Sequence, residues 1–171
     1  MTTSAAPRTI APGDMSRTTG VLLATDLGPA SAHAADRALD LAARLSAPLL
    51  IVSVIDPLRL RLPGGRFATR VDQVRASREA AAQELVARGR ERGVPATFLI
   101  WEGEPGESIV AAAEAERAEL IVVGSHGRGG VGRLLMGSVS EYVVRHAACP
   151  VLVVRPPAAG VALDSMGDPA P

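Results

Sequence analysis

Leu120-Ile-Val-Val-Gly-Ser-His-Gly-Arg-Gly-Gly-Val-Gly-Arg-Leu-Leu-Met-Gly-Ser-Val-Ser140 is the stretch on which the fold turns. Four apolar residues, Leu120–Val123, empty into a glycine-rich segment, Gly124–Ser140. A helical pattern follows: Val139, Tyr142, Val143 and His146 recur at i, i+3, i+4 and i+7. A strand that runs into a glycine loop and then a helix start has the layout of an anion cradle. Glycines let the backbone come close, and the free amides of a helix N-terminus point at the anion.

The flanking chain repeats the strand-then-helix rhythm. Val21, Leu22, Leu23 and Ala24 read as a strand buried on both faces, ended by Asp26-Leu27-Gly28-Pro29. Ser31–Ser46 reads as an amphipathic helix with Ala38, Leu41, Ala42 and Leu45 on its apolar face. Leu49–Ile55 is β-branched and reads as a second strand. A Pro/Gly/Arg-rich loop, Asp56–Ala68, leads to a helix over Thr69–Arg92 with an apolar face of Val71, Val74, Ala81, Leu85 and Val86, stopped at Gly93. Thr97–Trp101 is a third strand and Glu107–Arg117 a third helix. Cys149-Pro150 ends the last helix, and Val151–Val154 is the fifth strand.

The resulting β-α-β-α-β-α-β-α-β pattern predicts an α/β fold, a five-stranded parallel sheet with helices on both faces. Ligands of such sheets bind beyond the C-terminal strand ends, where strand order reverses. Asp26 lies past strand one and the glycine loop past strand four, so neighbouring strands would bring them into one crevice. The domain is expected over residues 18–155, between disordered segments at 1–17 and 156–171 that are rich in Pro, Ala and Gly.

Composition narrows the function. The chain has 171 residues, 47% of them hydrophobic, which suits one cored domain. Net charge is zero and aromatics are 2%, which argues against nucleic acid, anionic membranes and base-stacking platforms. No apolar run approaches the roughly 20 residues that span a bilayer. Met1–Arg17 lacks the apolar core of a secretory signal. The lone Cys149 permits no internal disulfide and fits a cytoplasmic setting.

Two phosphate motifs fail on inspection. Gly132–Ser138 has P-loop glycine spacing without the lysine that charges the site. Gly127, Gly129 and Gly132 satisfy GxGxxG, but no acid follows at the dinucleotide offset and only one helix and one strand remain. The third pattern, Gly124-x-x-Gly127, nine residues, then Gly137-Ser138, resembles the nucleotide-binding signature of the universal stress protein family. The resemblance runs over about Thr18–Arg155 and includes Ala24-Thr25-Asp26, Ser53-Val54-Ile55-Asp56, the Gly103-x-Pro105 turn and Cys149-Pro150-Val151-Leu152-Val153-Val154.

That resemblance implies strand order 3-2-1-4-5, dimerisation through the last strand (Val151, Leu152, Val153, Val154), and binding of ATP, or of AMP or ADP, with Mg²⁺ as an accompanying ion. Asp26 and Val54 would take the ribose and adenine side, flanked by Ala24, Thr25 and Val123. Gly124 and Gly127 would let the loop pass close to the ligand. Gly137, Ser138, Val139 and Ser140 would offer amide and hydroxyl donors to phosphates, with charge added by Arg128 and Arg133. Ser138-x-x-Glu141 also fits a capping box, in which the Ser138 hydroxyl would start the helix.

No residue stands out for catalysis. His126 has no nucleophile or orienting acid beside it in sequence and is read as loop-shaping or ligand-adjacent. His33 and His146 read as surface or packing residues, and Cys149 as a small packing residue. Glu102, Glu104 and Glu107 read as a solvated rim. The expected role is a nucleotide-dependent stress-response sensor or adaptor with at most weak ATPase activity. The two competing readings are a slow ATPase or adenylate-transferring enzyme on the same fold, and a structural dimer without nucleotide.

Overall fold

The computed structural model describes residues 20–60, 67–125 and 136–155. Five parallel strands form one sheet: β1 (Val21–Ala24), β2 (Leu49–Ile55), β3 (Ala96–Glu102), β4 (Leu120–Gly124) and β5 (Val151–Val154). Their order is β3-β2-β1-β4-β5, with β1 central. The helices are α1 (Ala32–Leu45), α2 (Phe67–Glu91), α3 (Pro105–Ala115) and α4 (Ser138–His146). The α/β class, the strand order and the five strands follow the sequence reading, with ends shifted by at most two residues.

Alternation along each strand divides the core in two. Val21, Leu23, Leu49, Ile51 and Ile55 join residues of α1 and α2, among them Ala38, Leu39 and Leu85. Leu22, Ala24, Leu50, Val52 and Ile121 join Ile109, Ala112 and Val143 of α3 and α4 on the other face. Leu22, Leu23, Ile51 and Val122 have no exposed surface. Truncating one of them to Ala removes buried methyl groups and leaves a cavity, a loss of about 2–5 kcal/mol.

One helix face needs correction. The buried face of α1 is Ala34, Ala35, Ala38, Leu39 and Ala42, whereas Leu45 is 59% exposed. Alanines are ambiguous in a periodicity count, and the close approach of α1 to the sheet selects them over the bulkier Leu45. Glu102, Glu104 and Glu107 are exposed, as the rim reading expects, and Glu104 also serves as the N-cap of α3, accepting from the Glu107 amide at 2.7 Å. Glu102 pairs with Arg75 of α2. Gly93 ends α2 with φ of +71°, the left-handed geometry for which glycine is suited.

Helices α3 and α4 pack on each other through Gly106. A Cβ added there would lie 2.8 Å from Tyr142 ring atoms, so the α3–α4 approach depends on glycine. This contact sets the position of α4, whose N-terminus faces the C-terminal strand edge.

Arginines on α2, and Arg92 just beyond it, add polar ties to the apolar packing of the helix. Arg75 donates to the Ile100 carbonyl, Arg88 pairs with Asp36, and Arg92 pairs with Asp40. Arg78 reaches the end of β2, where it meets Ser53 and Val54.

Candidate functional site

The sheet register decides which sequence features meet. Ala24 is level with Val52 on one side and with Val123 on the other. The ends of β2, β1 and β4 therefore lie side by side, spanning roughly 10 Å at normal strand spacing. The chain leaves β1 toward β2 on one side, and β4 lies on the other. This is the switch point at which open α/β sheets bind ligands. Thr25, Asp26, Val54, Val123 and Gly124 all sit along this edge.

The β1 end is shaped by its own side chains. Thr25 Oγ1 accepts from the Leu27 amide at 2.9 Å. Asp26 Oδ1 accepts from the Gly28 amide at 2.9 Å and from the Ser31 hydroxyl. Leu27 has φ of +58°, an uncommon conformation for a branched side chain. The turn thus closes tightly below the strand and presents the Asp26 carboxylate at the crevice. A Cβ on Gly28 would stand 3.2 Å from Asp26 Oδ1, so this glycine leaves room for the carboxylate.

The β1 turn also leaves a backbone acceptor on β2 without a partner from β1. The Val52 carbonyl accepts from the Thr25 amide at 3.0 Å. Alternate residues of a strand direct their peptide groups to the same neighbour, so the Val54 carbonyl also faces the β1 side. Beyond Thr25 the chain has turned away at Leu27.

The β4 end is held through Ser125. Its amide donates to the Val154 carbonyl and its carbonyl accepts from the Gly137 amide, both at 2.8 Å. This ties Gly137 to the end of β4, and so fixes the start of α4 against the sheet. The Ser140 hydroxyl is buried, and it donates to the Gly137 carbonyl at 2.9 Å and toward the Ser125 carbonyl at 3.4 Å.

The capping box does not form. Gly137 is the N-cap of α4, with no side-chain cap bond, and the Glu141 amide donates to the Gly137 carbonyl at 2.9 Å. Ser138 is therefore the first helical residue, one place too late for its hydroxyl to cap. The amides of Ser138, Val139 and Ser140 belong to the opening turn, which has no intrahelical acceptors. They carry the positive end of the helix dipole at the crevice.

A cleft of about 200 Å³ opens beside Asp26, lined also by Leu27, Gln73, Val74, Ser77 and Arg78. Four of these six residues come from α2, and none of those four was singled out from sequence. Helical spacing marked Val74 only as apolar and carried no sign that Arg78 turns inward. The strained Leu27 and the pinning role of Ser125 were also unmarked. His126, Gly127, Arg128 and Arg133 lie outside the described residues.

His146 is exposed and stacks on Tyr142 with ring centroids 4.0 Å apart. Cys149 is half-buried, and burial pushes its thiol above the ordinary range against two opposing backbone hydrogen bonds. Among the described residues no group of three His, Cys, Asp or Glu is placed to hold a metal ion. Among the same residues no helix is long and apolar enough to cross a membrane.

Residues 18–155 match the model of the universal stress protein family. A universal stress protein of Methanocaldococcus jannaschii is 34% identical over 140 residues, covering 80% of this chain and 82% of the relative. The crystal structure of a family protein from Burkholderia pseudomallei is 34% identical, with TM-score 0.66, covering 84% of this chain and 98% of its own. A universal stress protein solved in complex with cAMP is 26% identical, with TM-score 0.61, covering 81% and 98%.

Proposed function

Since the chain belongs to the universal stress protein family, we propose that it binds an adenine nucleotide, ATP foremost, and acts as a nucleotide-dependent sensor or adaptor. The observation that carries this reading is the shared edge of β2, β1 and β4, with Asp26 at one side and the α4 N-terminus at the other. A carboxylate suits ribose hydroxyls, because it accepts hydrogen bonds strongly. Three first-turn amides at a helix dipole suit phosphates. The Val54 backbone at the end of β2 suits the base. The relative solved with cAMP supports an adenine ligand for this architecture.

Ala24 and Val123 would wall the ligand, and Thr25 would hold the turn behind Asp26. Gly124, Gly127 and Gly137 would let backbone approach, with His126 and Arg128 in the loop between. Ser140 would act through its amide, because its hydroxyl is engaged with the Gly137 carbonyl. Where Mg²⁺ accompanies the triphosphate, phosphate oxygens and water supply its ligands. Binding rather than turnover is the favoured activity, because the glycine segment carries no P-loop lysine.

Two features go with this role. Leu152 on the edge strand β5 is 39% exposed, and Val151 and Val153 are only half-buried. Pairing of β5 with the same strand of a second copy would cover an apolar edge, giving a two-fold dimer. The single thiol supports action in the reducing cytoplasm.

The deciding experiment is to purify the protein, denature it and identify released nucleotide by mass, followed by calorimetric titration with ATP. Micromolar binding with a stoichiometry of one per chain is expected. No released nucleotide together with no heat of binding would refute the proposal. Light scattering at micromolar concentration should return a dimer mass, and a strictly monomeric profile would remove the β5 pairing.

A further inference from the structure

Among the described residues, Arg78 is the one charged side chain that α2 sends into the cleft, and the nucleotide reading assigns it no role. Its Nη1 lies 3.0 Å from Ser53 Oγ and donates also to the Val54 carbonyl. Those anchors are deep: Ser53 is 1% exposed and Val54 7%. The same side chain lines the cleft beside Asp26.

The Val54 carbonyl is the acceptor that the sheet turns toward the crevice, because Leu27 has swung away and given its amide to Thr25 Oγ1. A guanidinium carries donors only. With the base seated at the end of β2, as proposed above, a purine with a 6-amino group would bring a second donor to that carbonyl, whereas a 6-oxo purine would bring an acceptor. A carbonyl has two lone pairs, but here the amine would be set against a positive charge already seated on the oxygen.

We infer that Arg78 sets the base selectivity of the cleft by competing with a 6-amino group for the Val54 carbonyl. It lowers affinity for adenine nucleotides and leaves 6-oxo purine nucleotides tolerated. This inference rests on the nucleotide reading above and adds a residue that tunes it. The pull of α2 on the end of β2 is thus coupled to the ligand: an adenine base must displace the guanidinium or share its acceptor.

The test compares ATP with inosine triphosphate, which differ at the 6-position and share ribose and phosphates. Both are titrated calorimetrically into the full chain and into Arg78→Met, which keeps length and apolar stem without donors. The ratio of ATP to inosine triphosphate affinity should rise about tenfold in the variant, the scale of one hydrogen bond to a charged group. Arg78→Gln removes the charge and should move the ratio the same way by about twofold. It also decides the matter if Arg78→Met fails to fold by circular dichroism.

An unchanged ratio in the folded variants overturns the inference while leaving nucleotide binding intact. A fall in affinity by one common factor for both ligands also overturns it, since that is the mark of a phosphate contact. Absence of binding by either ligand to the unaltered chain refutes the nucleotide reading, and the selectivity role falls with it.

Discussion

The two ends of the crevice are built differently. At the β1 end, Thr25, Asp26, Ser31, Ser53 and Arg78 bond to one another or to nearby backbone across β1, β2 and α2. At the α4 end the groups on offer are backbone amides of Ser138, Val139 and Ser140, and bonds of Ser125 and Ser140 hold that backbone in place. Side chains are individual and can be exchanged one at a time. Amides are generic and respond only to what moves or shields the helix start. On the proposed reading, the β1 end should therefore tune which ligand binds, and the α4 end whether an anion binds at all.

The largest effect should come from an assault on the backbone end. Gly137→Glu places a carboxylate beside the three free amides, where it repels phosphate and competes for the donors. ATP affinity should fall by more than about a hundredfold by calorimetry, combining lost hydrogen bonds with like-charge repulsion. Retained affinity would mean that phosphates lie elsewhere.

Next comes the side-chain end. Asp26→Ala removes the carboxylate proposed for ribose and the acceptor that holds Gly28 and Ser31. A loss of about 10–100-fold for ATP is expected, from one or two charge-assisted hydrogen bonds. The same variant should lose little when inorganic triphosphate is the probe, because that ligand has no ribose. Equal losses for both probes would erase the distinction between the two ends.

A smaller effect separates amide from hydroxyl. Ser138→Ala removes a hydroxyl and keeps the amide, and Gly137 already serves as N-cap without a side chain. ATP affinity should change by less than about threefold and the melting temperature by no more than a degree or two. A tenfold loss would show that the Ser138 hydroxyl is itself a ligand donor.

The smallest effect lies away from the crevice. Burial raises the Cys149 pKa, so the native state holds its proton where the unfolded thiol has begun to ionise. Native-state alkylation at pH 8 should be several-fold slower than in denaturant. The sign for stability follows: the contribution is whole below the unfolded thiol pKa and declines as pH rises above it. ATP should leave the alkylation rate unchanged if Cys149 belongs to neither end.

Much of the fold was legible because its signals are local. Buried parallel strands appear as unbroken apolar runs, as at Leu49–Ile55, and glycines mark the stops, as at Gly93 with its positive φ. Helix faces made of alanine were less legible, since alanine suits either side, and α1 turned out rotated away from Leu45. At the site, Asp26 and Val54 stood at strand ends where sequence could mark them. Arg78 could not be read, because an arginine on a polar helix looks solvated until the helix is docked.

The amino-acid sequence by itself determined the β/α alternation, the glycine segment after β4 and the carboxylate after β1, because each depends on neighbours within a few residues. The tertiary structure alone decided that Gly137, not Ser138, is the N-cap of α4, that the Ser140 hydroxyl turns inward, and that Arg78 caps the Val54 carbonyl. Those three outcomes join groups up to 24 residues apart in sequence, or depend on how α4 is pinned to the sheet. Such contacts are set by packing and by where each strand ends, and no local pattern encodes them.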